Sequence, residues 1–194
     1  MNIGIIGGSF DPIHYGHIGM AMACLKSKMI DKVLLMPNGN PPHKDNCTPI
    51  YHRIEMVKRA IKAYNNIYLE DFEENNKEPN YTIDTFKILK IKYHPNNVFL
   101  IMGFDSFRNL YTWKDYKELI SLAKFLILDR ENGSIDEFIK LKNLYECEAF
   151  LVPMEKINIS SSDIRSRYKN GTDCEGLIPN EVIDYIKSEG VYND

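Results

Sequence analysis

Cysteine is sparse and scattered in this 194-residue sequence. The four that occur, Cys24, Cys47, Cys147 and Cys174, form no CxxC pair. That spacing argues against a zinc site or a disulfide framework and for reduced, structural thiols. An excess of basic charge is also missing, since the formal net charge is −3. A general nucleic-acid surface is therefore not expected, and any anionic ligand must be held by a local cluster of donors. No apolar run approaches the ~20 residues of a membrane span. The opening MNIGIIGGSF lacks the basic flank of a secretory signal. Repeats and low-complexity tracts are absent too. The expectation is a soluble, cytoplasmic protein that works on neither nucleic acid nor membrane. Homo-oligomer formation stays open.

What is present is the balance of a globular chain, 44% hydrophobic and 26% charged. Short apolar runs rich in β-branched residues recur at Ile3–Ile6, Lys32–Met36, Ile67–Leu69, Val98–Met102, Phe125–Leu128 and Ala149–Val152. Nearly continuous runs of this kind suit strands buried on both faces of a parallel sheet. Between them, helical spacing covers His17 to Ser27, Tyr51 to Ala63, Ile83 to Ile91 and Phe107 to Ala123. The alternation predicts a doubly wound, Rossmann-like α/β sheet with right-handed crossovers. After Pro153 two short helices are expected, Ser160 to Lys169 and Asn180 to Ser188, as a lid or flank on the sheet. Residues 1–194 then form one domain, with an α/β core over 1–153 and a small helical C-terminal appendage over 154–194. The acidic stretch Glu70–Glu78 is read as a solvated loop. In open α/β sheets ligands sit beyond the carboxyl ends of strands, so the turns after strands hold the chemistry.

The first strand runs into GGSFDPIHYGH, Gly7 to His17. Paired glycines let backbone approach a ligand and turn without steric cost. A helix should begin near Tyr15, and His14 and His17, spaced i, i+3, can share a face at its N-terminus. Free N–H groups there suit phosphate, and two imidazoles add donors for charge that grows during a reaction. Each part alone has an ordinary reading. GIIGG occurs at many tight turns, and a lone HxxH is more often structural. Against that, four of the five histidines fall within the first 52 residues. The dinucleotide fingerprint GxGxxG is absent, and no third ligand makes a zinc site. Near the C-terminus, Ser160–Ser162 with Arg165 places hydroxyls and N–H groups at a helix start with a guanidinium one turn on. That suits the outer phosphates of a nucleotide, although a serine cap beside a surface arginine looks the same.

GGSFDPIHYGH resembles the signature of the HxGH nucleotidyltransferase superfamily. In order behind it come PNGNPPHK (Pro37 to Lys44), His52–Arg53, Tyr81–Thr82, GFDS (Gly103 to Ser106) with Trp113 beyond, and ISSSDIR (Ile159 to Arg165). The set spans nearly the whole chain and resembles the bacterial nicotinate-nucleotide adenylyltransferase family. The resemblance implies ATP and nicotinate mononucleotide as substrates, with Mg²⁺ carried by the ATP phosphates and no protein metal cage. It implies His17 and His14 as catalytic residues. Gly7, Gly8, Ser9, Phe10, Lys44, Ser160, Ser161 and Arg165 would bind ATP and its phosphates, with His43 and Arg53 as candidate helpers of Lys44. Gly103 and Asp105 would meet nucleotide and ribose, and Thr82 and Trp113 would form the nicotinate pocket. An indole face stacks on a pyridine ring and a hydroxyl donates to its carboxylate, although Trp113 alone reads equally as core packing.

Three positions depart from the family pattern: Phe104 where a small residue is common, Ser162 where threonine is, and Lys114 where an aromatic is. Phe104 bears on packing near the ribose and Lys114 on base selectivity. The mechanism implied is in-line attack of the mononucleotide phosphate on the α-phosphorus of ATP. No general base is needed, because a phosphate monoester is mostly dianionic near neutral pH. Phosphopantetheine or nicotinamide mononucleotide as acceptor, a cytidylyl donor, and a silent nucleotide-binding module stay open as alternatives. PPHK, Tyr81–Thr82 and Trp113 argue against other acceptors, and intact His14, His17, Lys44 and Arg165 against silence.

Overall fold

The computed structural model describes residues 1–39, 47–71, 81–129, 135–155 and 157–192. Six strands, β1 (Asn2–Gly8), β2 (Lys32–Pro37), β3 (Ile67–Leu69), β4 (Asn97–Gly103), β5 (Lys124–Asp129) and β6 (Ala149–Pro153), form one parallel sheet. Their order is β3-β2-β1-β4-β5-β6. Each expected run is a strand, with ends that agree to within two residues.

Burial on both faces explains why the strands read as continuous runs. Along β1, Ile3 and Ile5 join one core and Ile6 the other, and β5 splits the same way, with Phe125 and Ile127 opposite Leu126 and Leu128. Side chains alternate across a sheet, so a strand covered on both sides must be apolar at every position. Helices α1 (Tyr15–Lys26) and α2 (Ile50–Ile61) supply buried residues to one core. Helix α3 (Thr82–Tyr93) caps the other.

The single helix expected over Phe107 to Ala123 is three pieces. These are α4 (Phe104–Arg108), a 3₁₀ turn (Leu110–Thr112) and α5 (Tyr116–Leu122). Trp113 is extended between them and Asp115 takes a left-handed φ of 49°. The apolar spacing survives the break because Phe107, Leu110 and Leu119 still reach the same core. A further helix, α6 (Ile135–Tyr145), was not anticipated, although Phe138, Leu141 and Tyr145 carry its periodicity.

Helices α7 (Ser161–Lys169) and α8 (Asn180–Glu189) flank the sheet. Ile164, Ile178, Val182 and Ile186 are buried in the same core as Ile6 and Leu128. Gly190 ends α8 with a left-handed φ of 66°, which lets its N–H close onto Ile186. Cys24, Cys47, Cys147 and Cys174 are free thiols. Burial pushes the Cys24 thiol up to about 12, so it is unreactive at neutral pH. Among the described residues no helix is long and apolar enough to cross a membrane.

Candidate active site

The strand order reverses between β1 and β4, and a cleft of about 1260 Å³ opens there beyond their carboxyl ends. Gly7 ends one wall, Gly103 and Asp129 the other, and Asn38 follows β2 at the edge. A parallel doubly wound sheet produces such a crevice because successive crossovers leave the switch point in opposite directions.

Of the residues singled out from sequence, Gly7, His17, Thr82, Gly103, Asp105, Trp113 and Ser160 line this one cleft. A Cβ added at Gly103 would meet no other atom within 4 Å among the described residues. The space above it is open to a ligand. Gly7 and Gly8 belong to β1, and neither makes the turn. Phe10 does so instead, with φ 47° and its ring fully buried. The expectation that paired glycines supply the bend is therefore corrected, because the buried Phe10 ring stabilises a left-handed backbone that a glycine would otherwise provide.

His14 caps α1 from an extended backbone. Its own N–H donates to His17 Nδ1 at 3.3 Å. A ring nitrogen that accepts carries no proton, so the neutral His17 ring holds its proton on Nε2. The two imidazoles stack at 3.7 Å with 28° between planes, and the Phe10 ring meets His17 edge-on at 4.9 Å. His17 faces the cleft while His14 is buried behind it. Gly16 is required for this packing, since a Cβ there would lie 2.8 Å from His14 ring atoms. That is a steric reason for the glycine of HYGH.

The C-terminal motif is tied to the loop that follows β1. Ser160 caps α7, accepting from the Asp163 N–H at 3.1 Å and contacting Ser162 Oγ at 2.9 Å. Ser161 Oγ donates to the Pro12 carbonyl at 2.9 Å and Arg165 Nη1 to the Asp11 carbonyl at 2.6 Å. Both side chains thus grip the loop that carries His14 and His17. Arg53, a candidate helper of Lys44 by sequence, is engaged by backbone. It is 1% exposed and donates to the carbonyls of Thr48, Ser9, Asn38 and Gly39 at 2.8–3.3 Å. A guanidinium engaged on four backbone oxygens and shut from solvent braces the loops and is not placed to take a phosphate. Lys44 and His43 lie outside the described residues.

At the other end of the cleft, Trp113 is half-buried against the α3–α5 core. Lys114 lies beside it, its Nζ 4.1 Å from the Tyr81 ring centroid and 3.4 Å from Asp84. Asp105 pairs with Arg108 at 2.7 Å, and Arg108 also grips Glu137 while its guanidinium lies over the Phe104 ring. That hydrogen-bonded arginine holds the Glu137 carboxyl below its ordinary range. Phe104, exceptional by sequence, is buried and lines the cleft beneath this guanidinium. Arg108 and Asp129 line the cleft without having been singled out, and Asn38 lines it as part of PNGNPPHK. Asn38 and Asp129 stand where strands β2 and β5 end, a positional signal that was available. Among the described residues no cluster of three or more His, Cys, Asp or Glu is placed to hold a metal ion.

Residues 5–167 match the cytidylyltransferase-like family. With the parallel sheet and the cleft at its switch point, this makes the chain an enzyme of the nucleotidyltransferase class. The "Probable nicotinate-nucleotide adenylyltransferase" of Desulfitobacterium hafniense (strain DSM 10664 / DCB-2) is 38% identical over 98% of this chain and 95% of its own. The nicotinate-nucleotide adenylyltransferase of Bacillus subtilis (strain 168) is 35% identical over 98% and 97%. The solved Plasmodium falciparum nicotinic acid mononucleotide adenylyltransferase complexed with NaAD is similar at a TM-score of 0.82 and 26% identity, covering 99% and 97%. The chain belongs to the nicotinate-nucleotide adenylyltransferase family.

Proposed function

We propose that this chain transfers the adenylyl group of ATP to nicotinate mononucleotide in NAD biosynthesis, giving nicotinate adenine dinucleotide and pyrophosphate. The observation that carries the reading is one cleft with a histidine donor, His17, at the β1 end and an indole with a threonine, Trp113 and Thr82, at the other. It is supported by relatives that carry this activity in their names and by a neighbour complexed with NaAD.

A phosphate oxygen of the mononucleotide attacks the α-phosphorus, and the bond to the α–β bridging oxygen breaks as pyrophosphate departs with the electron pair. No proton must be removed from the nucleophile near pH 7. His17 donates its Nε2–H to the charge that builds on the phosphates, and His14 holds that ring by stacking and by its backbone N–H. Gly7, Gly8, Ser9 and Phe10 shape the phosphate path, and Ser160, Ser161 and Arg165 fix and complete it with Lys44. Gly103 and Asp105 take the nucleotide and its ribose. Nucleotidyl transfer from ATP generally uses a divalent metal. We assign Mg²⁺ to that role, entering as part of the ATP substrate. We read residues 1–194 as one domain, since α7 and α8 share a core with the sheet.

Two measurements test the acceptor end. In a panel of acceptors assayed with ATP, nicotinate mononucleotide should exceed its amide in kcat/KM by roughly 5- to 150-fold. Exchanging carboxylate for carboxamide sets a donor against donors, at about 1–3 kcal/mol. Equal efficiency with the two, or a preference for phosphopantetheine, would contradict the reading. Trp113 is the only tryptophan, so its emission should be quenched saturably by nicotinate mononucleotide and not by ribose phosphate. Trp113→Ala should then raise the mononucleotide KM and leave the fold intact. A loss of about 3–5 kcal/mol of stability without quenching would make it core packing instead.

A further inference from the structure

Asp11 is a buried carboxylate, 3% exposed, in the loop that carries His14 and His17. One oxygen accepts from the Tyr192 hydroxyl at 2.7 Å and the other from the Thr48 N–H at 3.2 Å. The Asp11 and Pro12 carbonyls are those held by Arg165 and Ser161. Tyr192 itself has a left-handed φ of 72°, a backbone that non-glycine residues adopt only when their surroundings fix them. Its phenol is pushed far above its ordinary pKa, first by burial and then by the Asp11 charge, and so stays a proton donor. Three residues after Asp11 comes the His14 N–H that meets His17 Nδ1. A displacement of Asp11 therefore passes along the backbone to the group that aims His17.

We propose that Tyr192 is a positioning residue for the reaction: through Asp11 it fixes the loop backbone that sets where His17 Nε2 points. This rests on the reading of His17 as the phosphate donor. The phenol and the carboxylate are not among the residues that line the cleft; their effect is on the geometry of those that do. A buried carboxylate deprived of one of its donors moves or draws water toward itself. An active-site shift of the order of 1 Å can cost ~10²-fold in rate.

Tyr192→Phe keeps the ring and removes only the O–H. It should lower kcat with ATP and nicotinate mononucleotide by about 10- to 100-fold, with both Michaelis constants little changed. Without substrate, its ¹H–¹⁵N imidazole spectrum should show the His14 and His17 signals displaced, with that of His94, the C-cap of α3, unmoved. Asp11→Asn should displace the same signals, and the double variant should be no slower than the slower single one. Unchanged kcat and unchanged His17 signals in folded Tyr192→Phe would make the contact purely structural and overturn the proposal. So would a defect confined to KM, or losses that multiply in the double variant. If Tyr192→Phe does not fold, Asp11→Asn decides by the same spectra. If the wild-type chain fails to turn over these substrates, the activity reading falls, while the spectra still decide whether Tyr192 positions His17.

Discussion

Replacing His17 with alanine is expected to slow turnover by about 10²–10³, equivalent to roughly 2.7–4 kcal/mol of transition-state stabilisation, while ATP binding changes far less. The size follows from preorganisation. His17 Nδ1 is engaged by the His14 N–H, so the remaining ring proton sits on Nε2, and His17 lines the cleft. Stacking on His14 and the edge of Phe10 fix the ring plane before substrate arrives. A donor already aimed costs no reorganisation when charge develops, so its loss appears in kcat. Single-turnover rates and ATP titration calorimetry on the folded variant separate the two effects. Near-normal turnover would remove His17 from the chemistry.

The second large effect is on stability. Arg53→Met is expected to destabilise the fold by about 3–5 kcal/mol. For a chain of this size that lowers the melting midpoint by about 6–20 °C. Methionine fills part of the volume but leaves the carbonyls of Thr48, Ser9, Asn38 and Gly39 without the guanidinium that serves them. Lysine should rescue little, because a point ammonium on a flexible stem cannot reach four oxygens in the guanidinium plane. Thermal unfolding followed by circular dichroism measures the shift. An unshifted midpoint together with a raised ATP KM would return Arg53 to the phosphate site.

These two residues mark how far the sequence could be read. The place of His17 in the cleft was legible because it depends on local order: a strand, a loop and a helix start within 17 residues. The strands were legible for a similar reason, since a strand buried on both faces has no polar positions to confuse the pattern. Arg53 was not. Its partners are backbone carbonyls, which every residue has, and they come from three separated segments, so no spacing announces them. A basic residue after a histidine in a phosphate-handling chain reads as a ligand until its burial is known.

The break in the helix expected over Phe107 to Ala123 was hidden differently. Phe107, Leu110 and Leu119 keep helical spacing because all three face the same core, whether or not the backbone between them is helical. Asn109 and Asp115, weak helix formers, were the available hint. The break bears on the cleft, since the extended backbone at Trp113 accompanies its placement there. The ISSSDIR motif was located by sequence, but its grip on Asp11 and Pro12 joins residues some 150 positions apart, visible only in the folded chain. Tyr192 lies 181 positions from its partner Asp11 and carries no motif at all.

The most direct test of the central claim follows the α-phosphorus. The chain is incubated with nicotinate mononucleotide, Mg²⁺ and ATP labelled at that atom, and the products are separated. The account predicts that all transferred label appears in nicotinate adenine dinucleotide, with one unlabelled pyrophosphate released per dinucleotide and none without the acceptor. Label left in AMP, release of orthophosphate instead of pyrophosphate, or no dinucleotide from a folded wild-type chain would contradict it.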